Sequence, residues 1–574
     1  MQYTIRGKGK ISLSQNNFIF QGGEGKVYGK GKTAYKIYDD MKKLIPEAKI
    51  RELDIISNPN VIKPEEIILD KKNKYIGFTM KWIKQSIPMA KLFTNDFRNR
   101  NSISDDIILE LIETIKEIIL SIHQAKCLIV DGNEFNYLVD DKTFKTPFLI
   151  DVNTYQTPSF PPTAIMPSIR DPHSKTFTEQ TDWYSFGIVA CQLFAGIHPF
   201  KGKHPDYTRK IMGNNLLLNR MKDNISVFNS NVSVPPAARD FSCIPKNYMN
   251  WFVDLFEKGK RMPPPMTAGS VVTGSVGVKI IQSTNNFEIK LLKNFESEIL
   301  YHYTVYGTEV TKTREKLYIG NTAYQSTPDT EVVFTPQKAK PVLVSVKNNM
   351  IQFSDIHETQ GQIRSLPIEC TEKMITCNTL FVRNQGDLIE VALTDMENGD
   401  IMPAVKSVWK IMPNASEIFD GVIFQSVLGK PHLAIPLPAS HGLSSCINLH
   451  IPELEGCRVI SAKHENRVCI LVVYREDIYC RMVFKFDESY KKYDCRITED
   501  IRPDAVNFVV LDNGIAISLN DDNAIEVFIN KMGNYRTDII KDPDIRYSMK
   551  LCRDGIITKF FREKGLYSIR RITN

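Results

Sequence analysis

Cys127-Leu128-Ile129-Val130-Asp131-Gly132-Asn133-Glu134-Phe135-Asn136-Tyr137-Leu138-Val139 follows directly on an isoleucine-rich run that ends at His123, and a further aspartate lies in Phe148-Leu149-Ile150-Asp151-Val152-Asn153. An aspartate and an asparagine five residues apart on one loop can converge on one site. The carboxylate can accept a hydrogen bond from a hydroxyl, and the amide oxygen can ligate a hard cation such as Mg²⁺. A short apolar hairpin follows Asn136, and Asp151 at the end of its second strand supplies another metal-binding oxygen. Taken singly, each residue fits an ordinary turn. In this order, one hairpin apart, they point to a shared site.

Upstream, Gly22-Gly23-Glu24-Gly25-Lys26-Val27-Tyr28 joins two strand-like runs. Glycines permit a tight turn whose backbone can approach a phosphate, though a plain hairpin explains the segment equally well. Lys36 follows in Thr33-Ala34-Tyr35-Lys36-Ile37-Tyr38, where a strand lysine so close to the glycine turn can serve as a phosphate cation. The stretch Met41–Ile56 reads as a helix offering Glu47 or Glu52 to pair with Lys36. Glu47 is preferred, with Ile50 and Leu53 defining a buried face beside it. Phosphoryl transfer asks for these parts: a cover and a cation for the phosphates, oxygens for the metal, and a carboxylate for the attacking hydroxyl.

The chain around this segment has 574 residues, too many for one core, and 42% of them are hydrophobic against 24% charged. Its 73 basic and 66 acidic side chains leave a net charge of +7, too thin an excess to indicate nucleic acid or a membrane surface as partner. The eleven cysteines include no Cys-x-x-Cys pair. They predict neither a zinc site nor a disulfide framework, and a reducing, cytoplasmic setting. No run is apolar and long enough to span a bilayer. His441, His450 and His464 are too dispersed for metal ligation.

Two halves differ in periodicity. In the first, Ser104 with Asp105 and Asp106 opens a helix whose isoleucines recur at helical spacing. Further helices are expected over about Trp183–Ala195 and Tyr248–Lys258. Pro263-Pro264-Pro265 and a Gly/Ser/Thr/Val-rich stretch then break the pattern, so we expect domains at 1–262 and 278–574 with a linker at 263–277. In the second half, an apolar strand, a tight turn and another apolar strand recur at Leu300–Gly307, Val342–Asn349, Leu380–Gly386, Val422–Gly429, Ile470–Glu476, Phe508–Gly514 and Met549–Gly555. Their spacing, roughly 37 to 47 residues, is that of one propeller blade. Seven blades are favoured; six or eight, or a β-sandwich, remain open.

The first half resembles the eukaryotic-like protein kinase superfamily, in its divergent bacterial and phage branch, over roughly residues 15 to 262. Gly22, Gly25 and Val27 match part of that family's Gly-rich loop, with Gly23 between them, and Ala34 and Lys36 match its lysine strand. Gly77–Ile83 resembles the strand into the hinge, which implies Met80 as gatekeeper and adenine contacts along Lys81, Trp82 and Ile83. Asp131 matches the catalytic base, Asn136 and Asp151 the metal ligands, and Glu47 the helix acid. Thr181–Gly187 with Gly196–Phe200 resembles the family's central helix and its exit, where Asp182 would anchor the catalytic loop. Arg261 stands where the last helix ends. The resemblance implies a bilobal kinase-like fold that uses ATP and Mg²⁺; with the propeller read from the turn spacing, we expect a multidomain α+β chain, the kinase-like fold followed by an all-β propeller that meets a protein substrate or partner.

Four departures bear on activity. Val130 replaces the arginine before the catalytic aspartate, so activation-loop phosphorylation has no cation to dock on. Asn133 replaces a lysine, Asn153 replaces the glycine ending the metal-binding triplet, and no Ala-Pro-Glu motif is visible near Met166-Pro167-Ser168. A serine/threonine-type protein kinase is the leading expectation. A pseudokinase scaffold and a small-molecule phosphotransferase are the alternatives.

Overall fold

The computed structural model describes residues 1–163, 165–265, 286–325, 327, 329–355, 363–397, 400–439, 442–504 and 506–571. The chain forms two compact units, residues 1–279 with 502–504, and residues 280–501 with 505–574. Most of the expected linker, and the expected start of the second domain at 278, lie outside the described residues.

The first unit opens with a seven-stranded sheet of β1 (Gln2–Ile5), β2 (Gly9–Ser12), β3 (Phe18–Gln21), β4 (Gly25–Lys30), β5 (Thr33–Tyr38), β6 (Ile67–Leu69) and β7 (Tyr75–Lys81). Its order is β2-β1-β6-β7-β5-β4-β3, antiparallel throughout. Strand β5 therefore lies between β4 and β7, with Lys36 opposite Val27 on one side and Phe78 on the other.

The helix expected over Met41–Ile56 is shorter: α1 spans Glu47–Leu53, with Pro46 at its N-cap. A residue before proline is steered away from helical backbone, so the helix cannot extend back through Ile45. Starting there, its inward stripe runs through Lys49, Ile50 and Leu53.

Below the sheet, α2 (Asn95–Arg100) and α3 (Asp105–Gln124) follow, and Ser104 caps α3 by accepting from the Ile107 amide. Helix α4 (Glu179–Ala195) is buried continuously from Asp182 to Ala195. It reads as apolar on all sides because it is enclosed on all sides. The hairpin Tyr137–Asp140/Pro147–Leu149 forms as expected, paired outward to Ser86–Pro88. A last helix spans Lys246–Phe256.

Among its described residues, the second unit contains seven four-stranded antiparallel sheets. Six are built from consecutive strands. The seventh joins Phe287–Asn294, the first described strand of the unit, to the last three strands, Lys550–Asp554, Ile557–Arg562 and Gly565–Arg571. Each sheet shares an apolar cluster with the next: Val310 with Val332, Val344 with Leu380, Phe381 with Ile423, Leu433 with Leu471, Ile470 with Phe508, Ile525 with Phe560. Ile299 of the first sheet packs with Cys552 and Phe561 of the seventh, which closes the cycle.

The recurring turn motif does not mark one fixed place in these sheets. Tyr306-Gly307, Leu511–Gly514 and Gly555 follow the first strand of a sheet in chain order, apart from Phe287–Asn294. Those at Asn348-Asn349, Gln385-Gly386, Leu428-Gly429 and Glu476-Asp477 follow the second strand. Both hairpins want left-handed backbone, as at Asn348 (φ 51°) and Asn349 (φ 60°), so their sequences look alike.

Candidate active site

Lys36 is buried on β5, and its ammonium donates to three acceptors: Glu24 Oε2 at 2.6 Å, Asn153 Oδ1 at 3.1 Å and Asp151 Oδ1 at 3.3 Å. Asn153 also donates to Glu24 Oε2 at 3.1 Å. Segments more than 110 residues apart in sequence thus meet at one ammonium. Burial pulls the Lys36 pKa down, but Asp151 and Glu24 outweigh it and hold the ammonium above its usual value.

Glu47 is not the partner of Lys36. It faces outward and takes both guanidinium nitrogens of Arg6, at 2.7 and 3.0 Å. Glu52 accepts from the Ser159 amide at 3.1 Å. The reason is phase: with Pro46 at the cap, Lys49 rather than either acid shares the inward stripe with Ile50 and Leu53. The acid on Lys36 comes from the glycine turn.

In that turn only Gly25 is required for space. A Cβ there would lie 2.2 Å from the Ile37 carbonyl oxygen, whereas at Gly23 it would meet nothing and at Gly22 only the Phe20 ring edge. The Gly22 amide donates to Gly25 O, and the Asp39 amide to Glu24 O, so the root of the turn is tied into the sheet.

Asp131 and Asn136 do meet. Asn136 Nδ2 donates to the Asp131 carbonyl at 2.7 Å and to its Oδ2 at 3.3 Å. Asp131 Oδ1 accepts from the Met166 amide at 2.9 Å. Burial raises the Asp131 pKa, hydrogen bonds from Asn133, Met166 and Asn136 oppose it, and the charge of Asp151 adds to the rise. The two parts of the site are stitched together where the Ile150 amide donates to Asn136 O at 2.9 Å. Asp151 itself has left-handed backbone (φ 57°), a conformation aspartate tolerates.

The loop carrying Asp131 is held from below. Asp182 accepts the Ile129 and Val130 amides at 2.8 and 2.9 Å and lies 2.9 Å from His123 Nε2. Asp182 makes the anchoring contact expected of it.

At the expected hinge, Met80 lies opposite Ala34 and packs beside Phe78 and Ile50. The Trp82 amide donates to Lys32 O and Ile83 O accepts from Ser86 Oγ, so these two groups are already engaged within the chain.

The residue types fit an ATP–Mg²⁺ group. Asn136 uses its amide nitrogen on Asp131, which leaves its carbonyl oxygen for a cation, and the Asp151 side chain is 41% exposed. Among the described residues no three His, Cys, Asp or Glu side chains form a metal cluster. The Asn136 amide oxygen and the Asp151 carboxylate suit Mg²⁺, which takes one or two protein oxygens together with phosphates. Among the described residues no helix is long and apolar enough to cross a membrane.

Sequence reading missed Glu24, Lys49 and Asp171. Asp171, itself buried, takes the partly exposed Arg261 guanidinium at 2.5 and 2.7 Å. An arginine at the end of the last helix of the unit suggests an acidic partner, but not where along the chain it lies.

No family model and no curated protein matches this chain. Among solved structures it is similar to the autoinhibited serine kinase domain of the giant muscle protein titin, at 14% identity and a TM-score of 0.33, over 46% of this chain and 77% of that one. It is similar to the twitchin kinase fragment of C. elegans, at 14% identity and a TM-score of 0.32, over 46% and 55%. The Cydia pomonella granulovirus kinase PK-1 matches at 17% identity and a TM-score of 0.31, over 42% and 88%. All three are protein kinase domains, matched at low identity over less than half of this chain.

Proposed function

We propose that this chain is an ATP–Mg²⁺-dependent protein kinase of the serine/threonine type, with a C-terminal seven-bladed β-propeller that recruits a protein substrate or partner. One observation carries the first part: Lys36 Nζ stands 3.3 Å from Asp151 Oδ1, on the segment whose Ile150 amide binds Asn136, itself bonded to Asp131.

In this reading Lys36 holds phosphate oxygens, Asn136 and Asp151 hold Mg²⁺, and the Gly22–Gly25 turn covers the site. Val27, Ala34, Met80 and the Lys81–Ile83 segment border the adenine. Bound ATP supplies the transferable phosphoryl group, and Mg²⁺ offsets its charge. Asp131 accepts the proton of the attacking hydroxyl. Its raised pKa suits a base that must both take up and release a proton. The Met166 amide lies on Asp131 Oδ1, so a substrate hydroxyl must use Oδ2 or displace that segment.

The propeller reading is supported by the closed cycle of seven sheets and by the sheet that joins the first and last strands of the unit. Such closure leaves few exposed edges and a broad surface for protein contacts. A cytoplasmic setting agrees with eleven free cysteines.

The test is phosphorylation by the purified full chain with labelled ATP and Mg²⁺, scored on itself and on a generic protein acceptor. Asp131→Asn should lower incorporation by about a hundredfold or more. Incorporation that survives this substitution defeats the assignment. The scaffold reading draws on the Met166 contact and on the full engagement of Lys36; an absence of labelling together with intact ATP binding would favour it.

A further inference from the structure

We infer that Glu24 of the glycine turn, and not an acid of α1, is the positioning residue for Lys36, with Asn153 fixing the pair. The inference rests on the kinase reading above and names a residue that reading does not require.

Three contacts close a triangle: Lys36 to Glu24 at 2.6 Å, Lys36 to Asn153 at 3.1 Å, and Asn153 to Glu24 at 3.1 Å. The amide orientation is self-consistent, because its oxygen meets a cation and its nitrogen meets a carboxylate. Lys36 and Asn153 are buried, and the Glu24 side chain is only 21% exposed. A charge-assisted network so enclosed is strong and directional.

Glu24 is not on a free flap. Its carbonyl accepts from the Asp39 amide, which continues the β4–β5 ladder beyond Gly25 and Tyr38. Lys43 Nζ holds the neighbouring Gly23 carbonyl at 2.8 Å. The carboxylate therefore projects from the sheet frame.

Helix α1 cannot supply the charge. Its inward polar residue is Lys49, a cation that itself feels the Glu24 charge, and Glu47 is committed to Arg6. A lysine ammonium has three donors. Two belong to the triangle, and the third goes to Asp151, the more exposed of the two acids. That third donor is the one Lys36 can turn toward a ligand with the triangle intact.

The experiment uses the full chain as Glu24→Gln, Glu24→Asp and Glu47→Gln. The first readout needs no nucleotide: acylation of Lys36 by an N-hydroxysuccinimide ester near neutral pH, followed by peptide mass spectrometry. Loss of the Glu24 carboxylate opens the triangle that holds the buried ammonium, so the Lys36 side chain is held less tightly and meets the reagent more often. Glu24→Gln should thus speed Lys36 acylation by at least about fivefold more than Glu47→Gln does, the worth of one lost charge-assisted hydrogen bond. The second readout is phosphorylation: Glu24→Gln should lower kcat by about tenfold or more with a smaller change in KM, and Glu24→Asp should recover part of it.

Equal acylation in Glu24→Gln and the parent, or an equal rise in Glu47→Gln, overturns the inference. So does a kcat unmoved by Glu24→Gln in a chain whose phosphorylation still depends on Asp131. Should the parent not phosphorylate at all, the kinase reading fails, and the acylation rates alone decide the Glu24 assignment.

Discussion

Asp182 holds Val130 in left-handed backbone: its carboxylate takes the Val130 amide at 2.9 Å and the neighbouring Ile129 amide at 2.8 Å, with Val130 at φ 62°. A β-branched residue in this region is an outlier that costs about 1–3 kcal/mol. The helix bearing Asp182 is enclosed in the lower core, so it can bear the strain without shifting. The next residue is Asp131, and its direction depends on that turn. A buried acid far in sequence thereby sets the aim of the proposed base.

Replacing this acid should cost both fold and activity. Asp182→Asn presents an amide N–H₂ to at least one donor that now meets a carboxylate oxygen. Breaking a buried charged network of this kind costs about 3–5 kcal/mol. Urea unfolding followed by the fluorescence of Trp183, next in sequence, should report that loss. A shift under about 1 kcal/mol would mean the anchor matters little.

Gly25→Ala should damage the first unit although it adds a single methyl. The new Cβ would lie 2.2 Å from Ile37 O and 2.7 Å from Tyr38 Cα, both backbone atoms that cannot rotate away. Overpacking of this kind costs about 1–3 kcal/mol or more, and here the β4–β5 ladder must part. Gly23→Ala, with nothing near its added carbon, is the comparison. Thermal unfolding should fall for the first and hold for the second. Equal midpoints would count against the crowding.

Much of the site was legible because its residues carry their spacing with them. Asp131 and Asn136 share one loop, Asp151 follows one hairpin later, and Lys36 sits on a strand next to a glycine turn. Glu24 was not legible, since its partner is chosen by side-chain reach across a folded turn and no periodicity marks it. Glu47 was misread because Pro46 moves the start of α1 and so turns the face that Ile50 and Leu53 define toward Lys49. The seven sheets were countable from their turns. The position of each turn within its sheet was not, because first-to-second and second-to-third hairpins use the same left-handed residues.

The Asp171–Arg261 pair should behave as a pH-sensitive clamp on the first unit. Burial raises the Asp171 carboxyl, but Arg261 and the His173 amide outweigh it and hold its pKa below the ordinary value. A depressed native pKa contributes stability that is complete above the unfolded value, about 3.9 for aspartate, and is lost as pH falls through the native one. Asp171→Asn should therefore destabilise by about 1.5–3 kcal/mol near neutral pH, with the difference from the parent shrinking as pH falls below about 3.9. Urea midpoints at both pH values measure this, and a difference independent of pH would sink it.

Lys49 gives the opposite sign. It is buried on α1, its ammonium donates to Pro161 O at 3.3 Å, and burial lowers its pKa to about 8 despite the pull of Glu24. The unfolded chain keeps this proton up to about pH 10.4. Between the two values the unfolded state binds more protons, so stability rises with pH, and below about 8 the charged, buried form bears the whole penalty. Lys49→Met removes the charge and keeps most of the volume. Losing the bond to Pro161 O costs about 1 kcal/mol, while a shift of this size is worth about 3 kcal/mol, so the variant should be more stable at pH 7 by roughly 1–2 kcal/mol. It should also flatten the rise in stability between about pH 8 and 10. Urea melts across that range, followed by tryptophan fluorescence, decide the matter: a variant less stable at pH 7, or one with the parent's pH slope, would show that Lys49 is not held as a strained cation.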